Sequence, residues 1–60
     1  MRPEIPQEPY TLMSWVNTKL RDEYESLDEL CASEDIERQW IEDTLKEISV
    51  EFSEENNRFW

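Results

Sequence analysis

Between Leu12 and Cys31 the apolar residues return every three or four positions: Leu12, Met13, Val16, Leu20, Tyr24, Leu27, Leu30 and Cys31. That repeat is the signature of a helix with one apolar face. It predicts a helix over about residues 10–31, roughly 33 Å long at 1.5 Å per residue. Pro9 fits its first turn, where a missing N–H has no intrahelical partner. Residues 1–9 read MRPEIPQEP, with prolines at 3, 6 and 9. Polyproline II has three residues per turn, so an extended arm would carry them on one face. Glu8 and Thr11 stand where a proline-rich recognition peptide would carry a base, so the arm reads as a lead-in to the helix.

The phase breaks around Cys31-Ala32-Ser33. Ser33 suits a helix N-cap, and Glu34, Asp35 and Glu37 place negative charge where the helix dipole favours it. Ile41, Leu45, Ile48, Phe52 and Phe59 then follow at alternating spacings of four and three, with Glu55 interrupting the series. This predicts a second helix over about residues 34–57, after a turn near 32–33. Glu34, Arg38, Glu42 and Lys46 alternate in sign at i,i+4 along one flank, as a stable helix prefers. Two long helices joined by a short break predict an all-α fold, with residues 10–60 as an antiparallel helical hairpin. A hairpin leaves part of each stripe wet, and pairing two of them into a four-helix bundle would cover it. Met13, Val16, Leu20, Leu27, Ile41, Leu45, Ile48 and Phe52 are then the core of a homodimer.

Length sharpens that expectation. Sixty residues form at most one small domain, and chains this short bury only about 60% of their unfolded surface. One cysteine, Cys31, allows no internal disulfide, and the lack of histidine removes the usual zinc sites. The chain also has no glycine for tight turns or phosphate cradles. Neither a catalytic nucleophile–base pair nor a calcium loop is present, and the prediction is a non-enzyme without cofactor or metal. No apolar run approaches the roughly 18 residues of a membrane span. A lone thiol and no apolar leader point to the cytoplasm.

Sixteen acids against six bases give a formal charge of −10. Direct contact with nucleic acid needs cations in place of phosphate counterions, so this balance opposes it. It equally opposes an anionic membrane and favours a protein partner with a basic surface.

Where that partner would sit follows from a helical wheel. Taking Ile41 as zero, Leu45, Ile48, Phe52 and Phe59 fall within about 40°. Trp40 lies near 260°, Ile36 near 220° and Val50 near 180°, by the same rule. Asp43, Glu47, Glu51 and Glu54 share this far sector, and Asp43, Glu47, Glu51 and Glu55 form an unbroken i,i+4 acidic ridge. Like charges at that spacing destabilise an isolated helix, so a partner is expected to supply the opposite sign. Trp15 lies about 200° from Met13 and repeats the anomaly on the first helix. Tryptophan anchors binding hot spots. The partner-binding set is therefore Trp40, Ile36, Asp43, Glu47, Glu51, Glu54 and Trp15.

Two functions fit. In the first, a small regulatory or inhibitory protein docks on a basic surface that normally takes DNA or RNA, its carboxylates standing in for phosphates. In the second, an adaptor or structural subunit acts through helix packing, with the tryptophans as interface core.

Overall fold

Leu12, Val16 and Leu20 stand four residues apart and are all buried, so the spacing marks the inward face of the first helix correctly. A computed structural model describes residues 5–60; the first four residues of the proline-containing arm lie outside the described part. The first helix, α1, spans Pro9–Asp22 and starts with proline at its first position. Glu8 caps it: one carboxylate oxygen accepts from the Thr11 N–H at 2.8 Å and from the Thr11 hydroxyl at 2.9 Å. These bonds, the backbone one first, hold the Glu8 carboxyl below its ordinary range. A depressed folded-state pKa means that the cap's contribution is present above the unfolded pKa and is lost as pH falls through the folded one.

The chain is mostly helical, but the single long first helix is in fact two. α1 ends at Asp22, and α2 spans Leu27–Glu34. Ser26 is the cap that divides them, its Oγ accepting from the Glu29 N–H at 3.1 Å. Tyr24 lies in the break, and its hydroxyl donates to Glu34 at 2.7 Å, tying the connection to the far end of α2. Ser33, read as a cap, lies inside α2. The chain turns instead at Asp35, whose φ of 57° and ψ of 51° are left-handed.

The second predicted helix is likewise shorter. α3 spans Arg38–Lys46, and Ser49, with φ of 60°, ends the helical run. Two short strands follow, β1 Phe52–Ser53 and β2 Arg58–Phe59, paired antiparallel with Phe52 opposite Phe59 and Ser53 opposite Arg58. Asn57 closes their turn in the left-handed region at φ 54°. Asn56 helps through its N–H and Nδ2, which both donate to the Ser53 hydroxyl. With no glycine available, the three left-handed positions among the described residues fall to Asp, Ser and Asn. Asp and Asn tolerate that region best among residues carrying a Cβ.

These elements close one core within a single chain. Val16, Leu20, Leu27, Ile41 and Leu45, predicted as dimer core, are buried here together with Ile5, Leu12, Leu30, Cys31, Ile36 and Phe59. Met13, Ile48 and Phe52 are half-buried against that cluster. α1 touches α2, α3 and β2, so the hairpin supplies the cover that the two-helix arrangement assigned to a second copy.

Asn17 secures this arrangement. Its Nδ2 donates to the Phe59 carbonyl at 3.0 Å, and its Oδ1 accepts from the Phe59 N–H at 2.8 Å. A two-stranded hairpin is marginal by itself in water. Here α1 pairs with its outer edge as a third strand would.

Candidate functional site

α3 has a buried side of Ile41, Thr44 and Leu45, and an exposed side of Gln39, Asp43, Lys46 and Glu47. Between its exposed side and β1 runs an open groove. Its floor is Val50, Phe52 and Phe59, and its walls carry Glu42, Asp43, Lys46 and Glu51. The two phenyl rings meet at 5.1 Å between centroids, tilted by 58°.

Arg38 organises one end of the groove. Its guanidinium reaches Glu42 at 2.8 Å, Asp28 at 2.9 Å and Glu54 at 3.6 Å, and lies 5.5 Å from the centre of the Phe52 ring. One arginine thus gathers carboxylates from α2, α3 and the hairpin turn. The hydrogen bond to Glu42, then that to Asp28, raise its pKa, so it stays protonated throughout the ordinary pH range. The charge is already more than matched. Counting Asp28, Glu42, Asp43, Glu51 and Glu54 against Arg38 and Lys46 leaves the groove clearly negative. Gln39 steadies one wall by donating to the Asp43 carboxylate at 2.9 Å.

The predicted binding residues divide on this geometry. Asp43 and Glu51 line the groove, and Glu54 joins it through Arg38. Glu47 is exposed at the C-cap of α3. The continuous helical ridge through Asp43, Glu47, Glu51 and Glu55 does not form, because helix ends at Lys46; its acids are distributed over α3, β1's approach and the hairpin turn. Ile36 is only 7% exposed, and its N–H donates to the Cys31 carbonyl, so it is a core residue of the α2–α3 turn. Trp40 is half-buried and lines a shallow cleft with Asp35, Ile36 and Glu37. Trp15 is half-buried beneath Lys19, whose ammonium lies 5.7 Å from the ring centre. Trp40 and Trp15 are therefore partly spent on the core and do not line the groove.

Residues that the wheel overlooked include Arg38 as a hub, Asn17 as a clasp, and the exposed pair Tyr10 and Trp60, at 64% and 60%. Arg58 covers Trp60 at 4.6 Å from the ring centre. Asn17 had a readable signal, since asparagine is a poor choice inside a helix unless its amide has other work. Charge is unevenly placed as well: a second groove between α1 and the hairpin turn, lined by Ser14, Asn17, Arg21, Asn57 and Arg58 among others, has no carboxylate in its lining.

Cys31 faces the core at 8% exposure, and burial raises its thiol pKa against a smaller opposing effect of Arg38. Only the thiolate reacts readily, so burial protects Cys31 twice, by raising the thiol pKa beyond what Arg38 offsets and by shutting reagent out. Alkylation by iodoacetamide, followed by mass spectrometry, is expected to run at least about tenfold slower in buffer than in urea, with opening of the core as the limiting step. Equal rates would place the thiol outside the core. Among the described residues no group of three or more candidate ligands is placed to hold a metal ion.

No curated protein and no solved structure matches the chain. One family model does, and it covers residues 6–59, from the arm proline through both strands and so through every element that builds the groove. The chain therefore belongs to the family described as Domain of unknown function (DUF4250).

Proposed function

We propose that this domain is a small, non-enzymatic regulatory or inhibitory protein whose acidic groove holds a basic segment of a partner protein. The observation that carries the reading is the saturated Arg38. Three carboxylates converge on one guanidinium, and Asp43 and Glu51 line the same groove, whose lining holds Lys46 as its one other cation. Acids in such excess repel one another, and a cationic partner relieves that repulsion while gaining attraction of its own. In this reading the partner's surface is one that otherwise takes nucleic acid, and the carboxylates occupy the phosphate positions.

The test is affinity capture from the source cell's lysate with the parent chain and with the Asp43→Asn, Glu51→Gln, Glu54→Gln triple variant. The expected result is a partner that the parent retains at about 50 mM salt, loses at least tenfold by about 500 mM, and yields to added DNA or RNA. The variant should fail to hold it even at low salt. A partner held equally by both chains at high salt would overturn the proposal.

Tyr10 and Trp60 favour a second reading, since both are large, apolar and largely exposed. An adaptor or a homodimer acting through these rings would bind by apolar burial and resist salt. Among the described residues no helix is long and apolar enough to cross a membrane; a cytoplasmic setting belongs to the proposal.

A further inference from the structure

The hairpin's two edges differ. In an antiparallel ladder, residues alternate between pairs whose N–H and C=O face each other and pairs whose groups face outward. Glu51 and Trp60 exchange both backbone bonds, so they are a facing pair. Phe52 and Phe59, next in register, are then an outward pair. Phe59 confirms this, because its N–H and C=O both go to Asn17 on α1. The corresponding groups of Phe52 point to the opposite side, and among the described residues nothing bonds them. One edge of the sheet is thus clasped, while the other opens beside the acidic groove.

We infer that the groove takes an extended basic peptide, which pairs with β1 as a third strand. This rests on the reading that the groove holds a basic partner, and it states how the partner is held. The peptide residue opposite Phe52 makes two main-chain bonds and directs its side chain to the same face as the Phe52 ring, so it should be apolar. Its two neighbours point to the other face, opposite Glu51 and Ser53, the latter followed by Glu54 and Glu55. Cross-strand pairs of opposite charge are favourable, so the neighbour opposite Glu51 should be lysine or arginine, and the acids that follow Ser53 favour a second base at the other position. The recognised pattern is base–apolar–base. Main-chain pairing supplies affinity and the alternating side chains supply selectivity, as in other strand-addition complexes. The acids around this edge also account for its staying open, since like charge opposes pairing with a second copy.

A chain of sixty residues is within reach of total synthesis, which permits a change confined to one backbone atom. N-methylation of Phe52 removes the outward donor and leaves the ring, the charges and the bonds to β2 intact. The probe is an acetylated, amidated pentapeptide alternating lysine and valine, with lysine at both ends, titrated calorimetrically. The expected result is binding to the parent that falls at least tenfold on N-methylation. Hydrogen exchange at the Phe52 amide of the unmodified protein should slow at least tenfold when the peptide is present. That second measurement keeps the test decisive if the N-methylated chain folds poorly.

Unchanged affinity on N-methylation, with unchanged exchange at Phe52, would overturn strand pairing. If the Asp43→Asn, Glu51→Gln variant still lost the peptide, the acidic-groove reading would survive that failure. No binding of the peptide to the parent would remove both. A Phe52 amide already protected in the free protein, with twice the chain mass by light scattering, would assign the edge to a second copy and overturn the peptide as its occupant.

Discussion

Replacing Asn17 with alanine is expected to lower the stability of the domain by about 2–4 kcal/mol, read from urea denaturation followed by tryptophan fluorescence. The substitution removes both bonds to the backbone of Phe59, a residue only 1% exposed. A buried backbone group left without a partner costs about 1–3 kcal/mol, and here one N–H and one C=O are orphaned together. Only one orientation of the carboxamide satisfies both, with oxygen toward the N–H and nitrogen toward the carbonyl. Aspartate supplies an acceptor for the N–H but sets a carboxylate against the carbonyl, so Asn17→Asp should be no better than alanine. At roughly 0.05–0.15 kcal/mol per residue, a chain of this length has little stability beyond that loss. An alanine variant within about 0.5 kcal/mol of the parent would mean that water replaces the clasp and that α1 does not hold the hairpin.

The places where spacing misled have a common cause: helix period continued across chain reversals. Leu20, Tyr24 and Leu27 keep the three–four rhythm over the break at Ser26, so periodicity ran straight through it. Ser26 followed by Glu29 was the readable counter-signal, a serine three residues ahead of an acid at a helix start. Ser33 has no acid three residues on, only Glu34, Asp35 and Glu37 nearby, and it lies inside α2, because Leu30, Cys31 and Ile36 fix the turn at Asp35 by burial. Phe52 and Phe59 are seven apart and read as one heptad. They are the cross-strand pair of a hairpin whose loop fills the interval. Without glycine, that loop announces itself only through Asn56-Asn57, a weaker signal than Asn-Gly.

Candidate-site residues were legible where they depended on local geometry. Trp40 is half-buried, unlike the buried Ile41 and Leu45 of α3, and Asp43, three residues on, is exposed. Ile36 was misplaced because the wheel extended α3 backward through a turn, and a turn residue points where tertiary packing sends it. Glu51 and Glu54 reach the acidic groove through a strand and its turn, not through a helical ridge. Spacing placed Arg38 beside Glu42 but could not show it as a hub. Glu42 lies on its own helix four residues away, but Asp28 and Glu54 come from ten residues before and sixteen after, and only the fold brings them to one guanidinium.

Shortening Ile5 to alanine is expected to cost about 2–5 kcal/mol, the range for truncating a buried isoleucine, with Ile5→Val costing about 0.5–1.5. Ile5 is 1% exposed, and it belongs to the same cluster as Leu12, Ile41 and Phe59 although it lies before the first helix. In sequence it sits between Pro3 and Pro6, ahead of the proline that opens α1, and residues 5–8 form no helix of their own. Among the described arm residues, Ile5 places an apolar side chain in the core, with Pro6 limiting the freedom lost in doing so. In a large protein one such side chain would be a modest part of the core. Here the buried apolar residues are few, and a lone core of this size rarely supplies more than about 3–5 kcal/mol net. The alanine variant should therefore be largely unfolded near 37 °C, while the valine variant keeps its fold with a lowered midpoint, both followed by circular dichroism. If Ile5→Ala melted with the parent, the side chain would not occupy the core in solution. Ile5 precedes the stretch that matches the family, residues 6–59, so a substitution there also separates what stabilises this chain from what forms the groove: the folded fraction should fall while its affinity for the basic peptide stays unchanged.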